Sequence, residues 1–426
     1  MEETLGTKKL YAVVAGLVGG ALALSACTPA PAPAPTDSGS AATDTSVSVM
    51  WNQPLFSLNN NSSFGNATAN ANIVYLTQDN FTYYDKGLNI VTNDGYGTYE
   101  KVSDDPLTVK MTLADTATWS DGVPVTNADA ILAYGAISSL YNTVTGDDAQ
   151  ALYNEDGTIK PNDAGSVYFD SSSPGMALIT DFPALEGDKG ITVTYSKPFA
   201  DWEQLIASFG AGLPAHIVAK RALGIEDPTE GKAAIIAAFQ NKDNEALSKI
   251  SNVWNSDWNF TQLPTDADLL VHSGPYSLTE YAKGQYLTLT KDEAYKGKLV
   301  PQVNAITVRY NEDPMAAVQA LENGEVQLIS PQATADILTA VQGLQGVSVY
   351  TGDEGTYEHV DLTFNNGGPF DPASYGGDAE KASKVREAFL KTIPRQAIVD
   401  TIIKPINPNA AVRNSYTTTP GAPGYA

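Results

Sequence analysis

The chain carries few side chains suited to covalent chemistry. Its 426 residues include three histidines, His216, His272 and His359, and one cysteine, Cys27. The histidines are scattered and lack metal-ligand spacing, and no HExxH, GxSxG, Walker A or GxGxxG pattern occurs. Residues 152–163 (LYNEDGTIKPND) imitate a calcium loop, with Gly157 and Ile159 at the positions that want glycine and an apolar residue. The first ligand position is Leu152 where Asp is needed, and the last is Asp163 where Glu is needed. A polar surface insertion is therefore the better reading. The carboxylate pairs Asp104–Asp105 and Asp147–Asp148 are adjacent, and adjacent side chains diverge, which makes them poor acid–base partners. No cofactor and no metal is expected.

Cys27 is the exception, because its surroundings give it a role. Lys8 and Lys9 precede an uncharged apolar run over residues 10–24, too short for a membrane span of about 20 residues and suited to a signal-peptide core. Leu24-Ser25-Ala26-Cys27 follows and resembles the lipobox of bacterial lipoproteins. The resemblance implies cleavage before Cys27 and lipidation of its thiol and new amino group. Several acyl chains on one residue anchor stably, where one chain alone is marginal. Residues 1–26 then form the signal peptide, and residues 27–45, rich in Pro, Ala, Ser and Thr, an extended tether. A single cysteine also excludes an internal disulfide.

The elements that must position any site read as mixed α/β. Alternating apolar residues predict strands at 47–51, 107–113, 191–195, 305–310, 326–329 and 359–364, and a hairpin over 276–281 and 285–290. Helices are expected at 128–134, 202–209, 217–223, 231–239, 244–250, 313–323 and 379–393. Val385, Ala388, Phe389 and Ile393 give the last one an apolar side. Thr126 and Asp129 resemble a capping box at the start of the first helix. The Asn-rich stretch 59–73 reads as a loop or cap. Forty-nine Asp and Glu against 25 Lys and Arg leave a net charge of −24, which repels phosphate backbones and argues against nucleic-acid binding.

Several segments, in order, resemble the family 5 solute-binding proteins of ABC importers, of the oligopeptide/dipeptide-binding type. Trp119-Ser120-Asp121-Gly122-Val123-Pro124-Val125-Thr126-Asn127-Ala128-Asp129 is similar to the family's F-S-D-G-x-P-x-T-A-x-D. Leu213-Pro214-Ala215-His216-Ile217 resembles L-P-x-H-I, and Ser273-Gly274-Pro275-Tyr276 resembles G-T-G-P-Y with Ser where Thr is common. Leu321-Glu322-Asn323-Gly324-Glu325-Val326-Gln327 is similar to L-x-x-G-E-I-D, with Gln327 in place of Asp. Phe364-Asn365, Pro369-Phe370, Val385-Arg386-Glu387-Ala388 and Ile393-Pro394-Arg395-Gln396-Ala397-Ile398-Val399 continue the pattern, Pro394 replacing Asp as in an actinobacterial-like variant.

The resemblance implies an α/β, two-lobed periplasmic-binding-protein-like fold of type II. Residues 46–328 would form the first lobe and residues 329–426 a partial second lobe, because family members usually continue further. The family takes its acidic anchor for a ligand's amino terminus from that later part. The implied protein is a monomeric, lipid-anchored component on the extracytoplasmic face of the membrane that hands a peptide ligand to an ABC permease. In the family the first strand and its following loop, here residues 51–64, run along the cleft. Asn59, Asn60, Asn61 and Phe64 would offer amides and an apolar surface to an extended peptide backbone, while a solvated Asn-rich loop remains the alternative. Two other functions stay open: a surface-anchored hydrolase, and the same fold binding a sugar, a nickel chelate or a signalling peptide.

Overall fold

A computed structural model describes residues 45–85, 89–210, 212–352 and 359–415. Cys27, the signal peptide and most of the tether lie outside the described residues.

Eleven strands are present among the described residues: β1 (Ser46–Trp51), β2 (Thr82–Tyr84), β3 (Ile90–Thr92), β4 (Gly97–Asp104), β5 (Leu107–Leu113), β6 (Ala184–Glu186), β7 (Gly190–Thr194), β8 (Tyr276–Ala282), β9 (Tyr286–Lys291), β10 (Ala305–Tyr310) and β11 (Leu328–Ile329). One sheet runs β11-β1-β10-β9-β8 and another runs β4-β5-β7-β6. β1 is parallel to β10 and β11, whereas β9 is antiparallel to β8 and β10. The predicted hairpin forms across β8 and β9, its tight turn closed by Gln285 N–H donating to the Ala282 carbonyl at 3.0 Å. Gly284 supplies the positive φ of 65° that this turn needs. In β5 the sequence LTVKMTL buries Leu107, Val109, Met111 and Leu113 and turns Lys110 and Thr112 away, as period-two alternation requires.

The helix Asn127–Ile137 is buried along its whole length, which its sequence NADAILAYGAI permits on every side. Gly135 lets Phe239 approach, since a Cβ there would stand 2.1 Å from the ring. The helix N-terminus is organised by Asp129, whose Oδ2 accepts from Thr126 N–H at 2.8 Å. Its Oδ1 accepts from Ala215 N–H, also at 2.8 Å, at the first residue of the helix Ala215–Leu223. Lys232, on the helix Pro228–Gln240, places Nζ 3.0 Å from Asp129 Oδ2 and also donates to the Pro124 carbonyl. Phe169 and Tyr141 pack against Phe239 with ring centroids 5.8 and 5.0 Å away, and Trp254 on the helix Asn244–Ser256 closes on Phe169 at 5.8 Å.

Three expectations change. A helix, Thr68–Thr77, starts inside the stretch read as a loop. Its Ile73 and Val74 are buried, and Asn70 is buried as a brace: Oδ1 accepts from Phe56 and Ser57 N–H, and Nδ2 donates to the Gly65 carbonyl. The strand expected at 359–364 does not form, and its residues are largely exposed with no ladder partner; among the described residues none after Ile329 lies in a strand. The strand expected at 326–329 is limited to Leu328–Ile329, and Gln327 just before it ties to Ser48 of β1, its N–H donating to the Ser48 carbonyl at 2.9 Å and its Oε1 accepting from Ser48 N–H at 2.8 Å. The helix Ala379–Thr392 forms as expected, but only Ala382 is buried, and Phe389 and Leu390 stay 39% and 48% exposed.

The buried Lys232–Asp129 pair yields a stability prediction. Removing one partner of such a pair strands a buried charge and costs about 3–5 kcal/mol. Lys232→Met is expected to destabilise by that order in urea unfolding, and adding Asp129→Asn, which removes the stranded charge and keeps an oxygen acceptor at the helix start, is expected to recover part of the loss.

Candidate functional site

The helix Thr68–Thr77 lies over one face of the five-stranded sheet without sealing it. Cross-strand partners Val47–Ile306, Val49–Val308 and Trp51–Tyr310 occupy this face in register. Met50 points to the opposite face and packs with Ala317, Ala320 and Val326. The open face and the helix enclose a pocket of about 400 Å³. Ala69, Asn72, Ile73 and Leu76 line it from the helix, and Tyr281, Tyr286 and Leu287 from the hairpin. Gln53, Pro54 and Leu55 form a wall just after β1, and the Tyr281 hydroxyl donates to the Leu55 carbonyl to hold that wall in place. No lining residue is charged; the polar contributors are Gln53, Asn72, Gln285, Ser330 and the tyrosine hydroxyls. Trp51 Nε1 is buried and has no hydrogen-bond partner among the described residues.

The segment 51–64 therefore contributes its first half to the pocket and not its second. None of Asn59, Asn60, Asn61 and Phe64 lines it. Asn59 is 3% exposed, and its Nδ2 donates to the Trp254 carbonyl at 2.7 Å, bracing the loop against the helix Asn244–Ser256. Ser171 Oγ donates to the Asn61 carbonyl at 2.6 Å, Asn60 is half-buried, and Phe64 meets Phe56 edge-on at 5.3 Å. The pocket residues were signalled by the alternating V-x-V-x-W and I-x-V-x-Y patterns of β1 and β10, which read as strands without revealing which face stays open.

The histidines occupy separate settings. Nε2 of His272 faces both Ser277 Oγ (2.9 Å) and Asp292 Oδ2 (3.3 Å), while its Nδ1 faces the Leu270 carbonyl at 3.0 Å. A serine relay needs the nucleophile and the carboxylate on opposite ring nitrogens, so this trio is not arranged as one. His359 is exposed beside Asp361. His216 Nε2 meets Asp121 Oδ2 at 2.8 Å and joins the Trp119–Gly122 turn to the helix that follows Pro214. Burial pushes the Asp121 carboxyl up, but the hydrogen bonds from His216 and Val123 N–H outweigh it and hold the group below its ordinary value of 3.8. Among the described residues no group of three or more His, Cys, Asp and Glu could hold a metal ion. The calcium-loop lookalike is a polar turn in which Asp156 Oδ1 accepts from the N–H and Oγ of Thr158.

The model of the bacterial extracellular solute-binding proteins, family 5, matches residues 94–426. The chain belongs to this family. An uncharacterized lipoprotein of Mycobacterium tuberculosis is 25% identical over 349 residues, 81% of this chain and 54% of that protein. A putative ABC transporter peptide-binding protein of Brucella abortus is 25% identical over 319 residues, 75% of this chain and 46% of that protein. The chain thus spans about half the length of the curated relatives it matches. Among solved structures, the periplasmic EDTA-binding protein EppA superposes with a TM-score of 0.52 at 22% identity, covering 70% of this chain and 45% of that one. The likeness shows the fold, and the mixed α/β class with periplasmic-binding-protein type II architecture agrees with the family 5 expectation. Among the described residues no helix is long and apolar enough to cross a membrane.

The lowered Asp121 carboxyl makes part of the stability pH-dependent. A group whose folded value lies below its unfolded value stabilises above the unfolded value, and that contribution is lost as the pH falls through the folded one. Asp121→Asn is expected to lower stability at neutral pH and to flatten the fall in unfolding free energy below about pH 4. Urea titrations from pH 7 to pH 3 measure both.

Proposed function

We propose that the protein is the solute-binding component of an ABC importer, held by lipid on Cys27 at the extracytoplasmic face of the membrane. It captures a short peptide and delivers it to the permease. The observation that carries this reading is the uncharged pocket beside the end of β1, on a chain of a solute-binding family. A concave, mainly apolar cavity with a few polar groups is what a small-ligand site requires. The peptide ligand and the permease are suggested by the Brucella relative's name, and the anchor by the lipobox-like Leu24–Cys27 segment and the lipoprotein relative. Residues 329–426 would belong to a second lobe that moves over the ligand, as hinge closure does in binding proteins. A monomer is sufficient for this task.

The hydrolase reading is weaker, because the Ser277–His272–Asp292 geometry lacks the relay that nucleophilic catalysis needs. A polyanionic ligand such as EDTA fits poorly beside an uncharged lining on a chain of net charge −24.

Mass spectrometry of the protein purified gently from its own membrane tests the reading. A retained mixture of short peptides is expected, together with an acyl mass on a Cys27 N-terminus. Turnover of a peptide or polysaccharide panel with nothing retained would favour the hydrolase. Cys27→Ser is expected to shift the protein from the detergent phase to the aqueous phase.

A further inference from the structure

We infer that Asn366 is a site of self-modification, where the backbone nitrogen of Gly367 closes onto the Asn366 side chain, expels ammonia and leaves aspartate or isoaspartate. The inference concerns residues away from the pocket and does not rest on the peptide-binding reading.

The chain holds two Asn-Gly pairs, Asn323-Gly324 and Asn366-Gly367. Glycine after asparagine hinders such a ring closure least, because no Cβ crowds the attacking nitrogen. The two pairs are held differently. At the first, Gly324 N–H donates to the Leu321 carbonyl at 3.1 Å, just past the helix Pro314–Glu322, and Asn323 Nδ2 donates to Glu325 Oε1 at 3.2 Å. A carbonyl is no base for the proton that the nitrogen must lose.

At the second pair both reacting groups meet what the reaction needs. Gly367 N–H donates to Asp371 Oδ2 at 2.8 Å, so a carboxylate stands where the proton must leave. Asn366 Oδ1 accepts from Gly368 N–H at 3.0 Å, so a donor stands where negative charge develops on the amide oxygen. The same bond folds the side-chain amide back along the backbone that attacks it. Ser374 Oγ lies 2.9 and 2.8 Å from the Gly367 and Gly368 carbonyls and pins the turn, and holding reacting groups in place is itself an acceleration. The N–H groups of Gly367 and Ala373 hold the Asp371 carboxyl below its ordinary value of 3.8, so it is ionised at neutral pH. Asn366 and Gly367 are exposed, so water reaches the product.

The steps balance with water as the one co-reactant. The Gly367 nitrogen bonds to Cγ of Asn366 as its proton passes to Asp371. The intermediate collapses, the Cγ–Nδ2 bond breaks, and ammonia leaves with that proton. The five-membered succinimide then takes up one water at either carbonyl and opens to aspartate or isoaspartate.

The test incubates the full chain at neutral pH, folded and in urea, and follows both sites by peptide mass mapping and enzymatic methylation of isoaspartate. In the folded chain Asn366 is expected to convert at least about ten-fold faster than Asn323, well within what one positioned base supplies. Asp371→Asn should bring the Asn366 rate down towards that of Asn323 and leave Asn323 unchanged. Asp371→Glu, which keeps a carboxylate, should retain more of the rate. In urea the two sites should react at similar rates, a readout that needs no variant to fold. Equal rates in the folded chain, a difference that survives urea, or an Asn366 rate that Asp371→Asn does not lower overturns the inference.

Discussion

The buried carboxylate of Asp129 is the constraint around which the helical part of the protein is arranged. It is 4% exposed and meets three donors from three places: Thr126 N–H just before its own helix, Ala215 N–H at the start of another helix, and Lys232 Nζ on a third. A buried charge is tolerated only when it is paired and its remaining lone pairs are bonded. That demand fixes where the three helices sit. It also explains why the segment ending at Asp129 and the Leu213–Ile217 segment belong together despite the 86 positions between Asp129 and Ala215. The Asp121–His216 contact joins the same two segments a second time.

The five-stranded sheet poses the complementary problem. Strand β1, flanked by its parallel neighbours β11 and β10, carries Val47, Val49 and Trp51 on one face and Met50 on the other. Met50 finds cover from the helix Pro314–Glu322. Val47, Val49 and Trp51 on the other face are only partly covered by the helix Thr68–Thr77, and the remainder is the pocket. The same alternation that builds a core on one side thus leaves a concave apolar surface on the other. The Tyr281–Leu55 hydrogen bond holds its wall in place, where unpaired buried groups would otherwise cost stability.

Regular elements were legible where a single face or a full wrap of apolar residues declares itself. β5, the hairpin of β8 and β9, β10, and the helices around Asp129 follow their patterns closely. The failures share one cause, since polarity and alternation are local signals while burial and pairing are not. Asn70 looked like loop composition and became a buried brace inside a helix. Residues 359–364 alternate as a strand should, yet among the described residues no strand pairs with them. The helix Asn244–Ser256 runs past its expected end because Trp254 and Asn255 find partners in Phe169 and Asp170. Of the candidate ligand residues, Asn59 has the right chemistry for a peptide backbone, but its amide is engaged with Trp254 of its own chain.

By itself the sequence determined the fold class, the capping arrangement at Thr126 and Asp129, the strands of the five-stranded sheet, β5 and β7 of the four-stranded one, and the family resemblance. Each of these is written in residue types at fixed spacings. Only the tertiary structure decided which face of β1 would be covered and which left open, and which asparagines would bond the protein itself. Those outcomes depend on contacts between residues far apart in the chain, such as Val49 with Val308 and Asn59 with Trp254, and no local spacing encodes them.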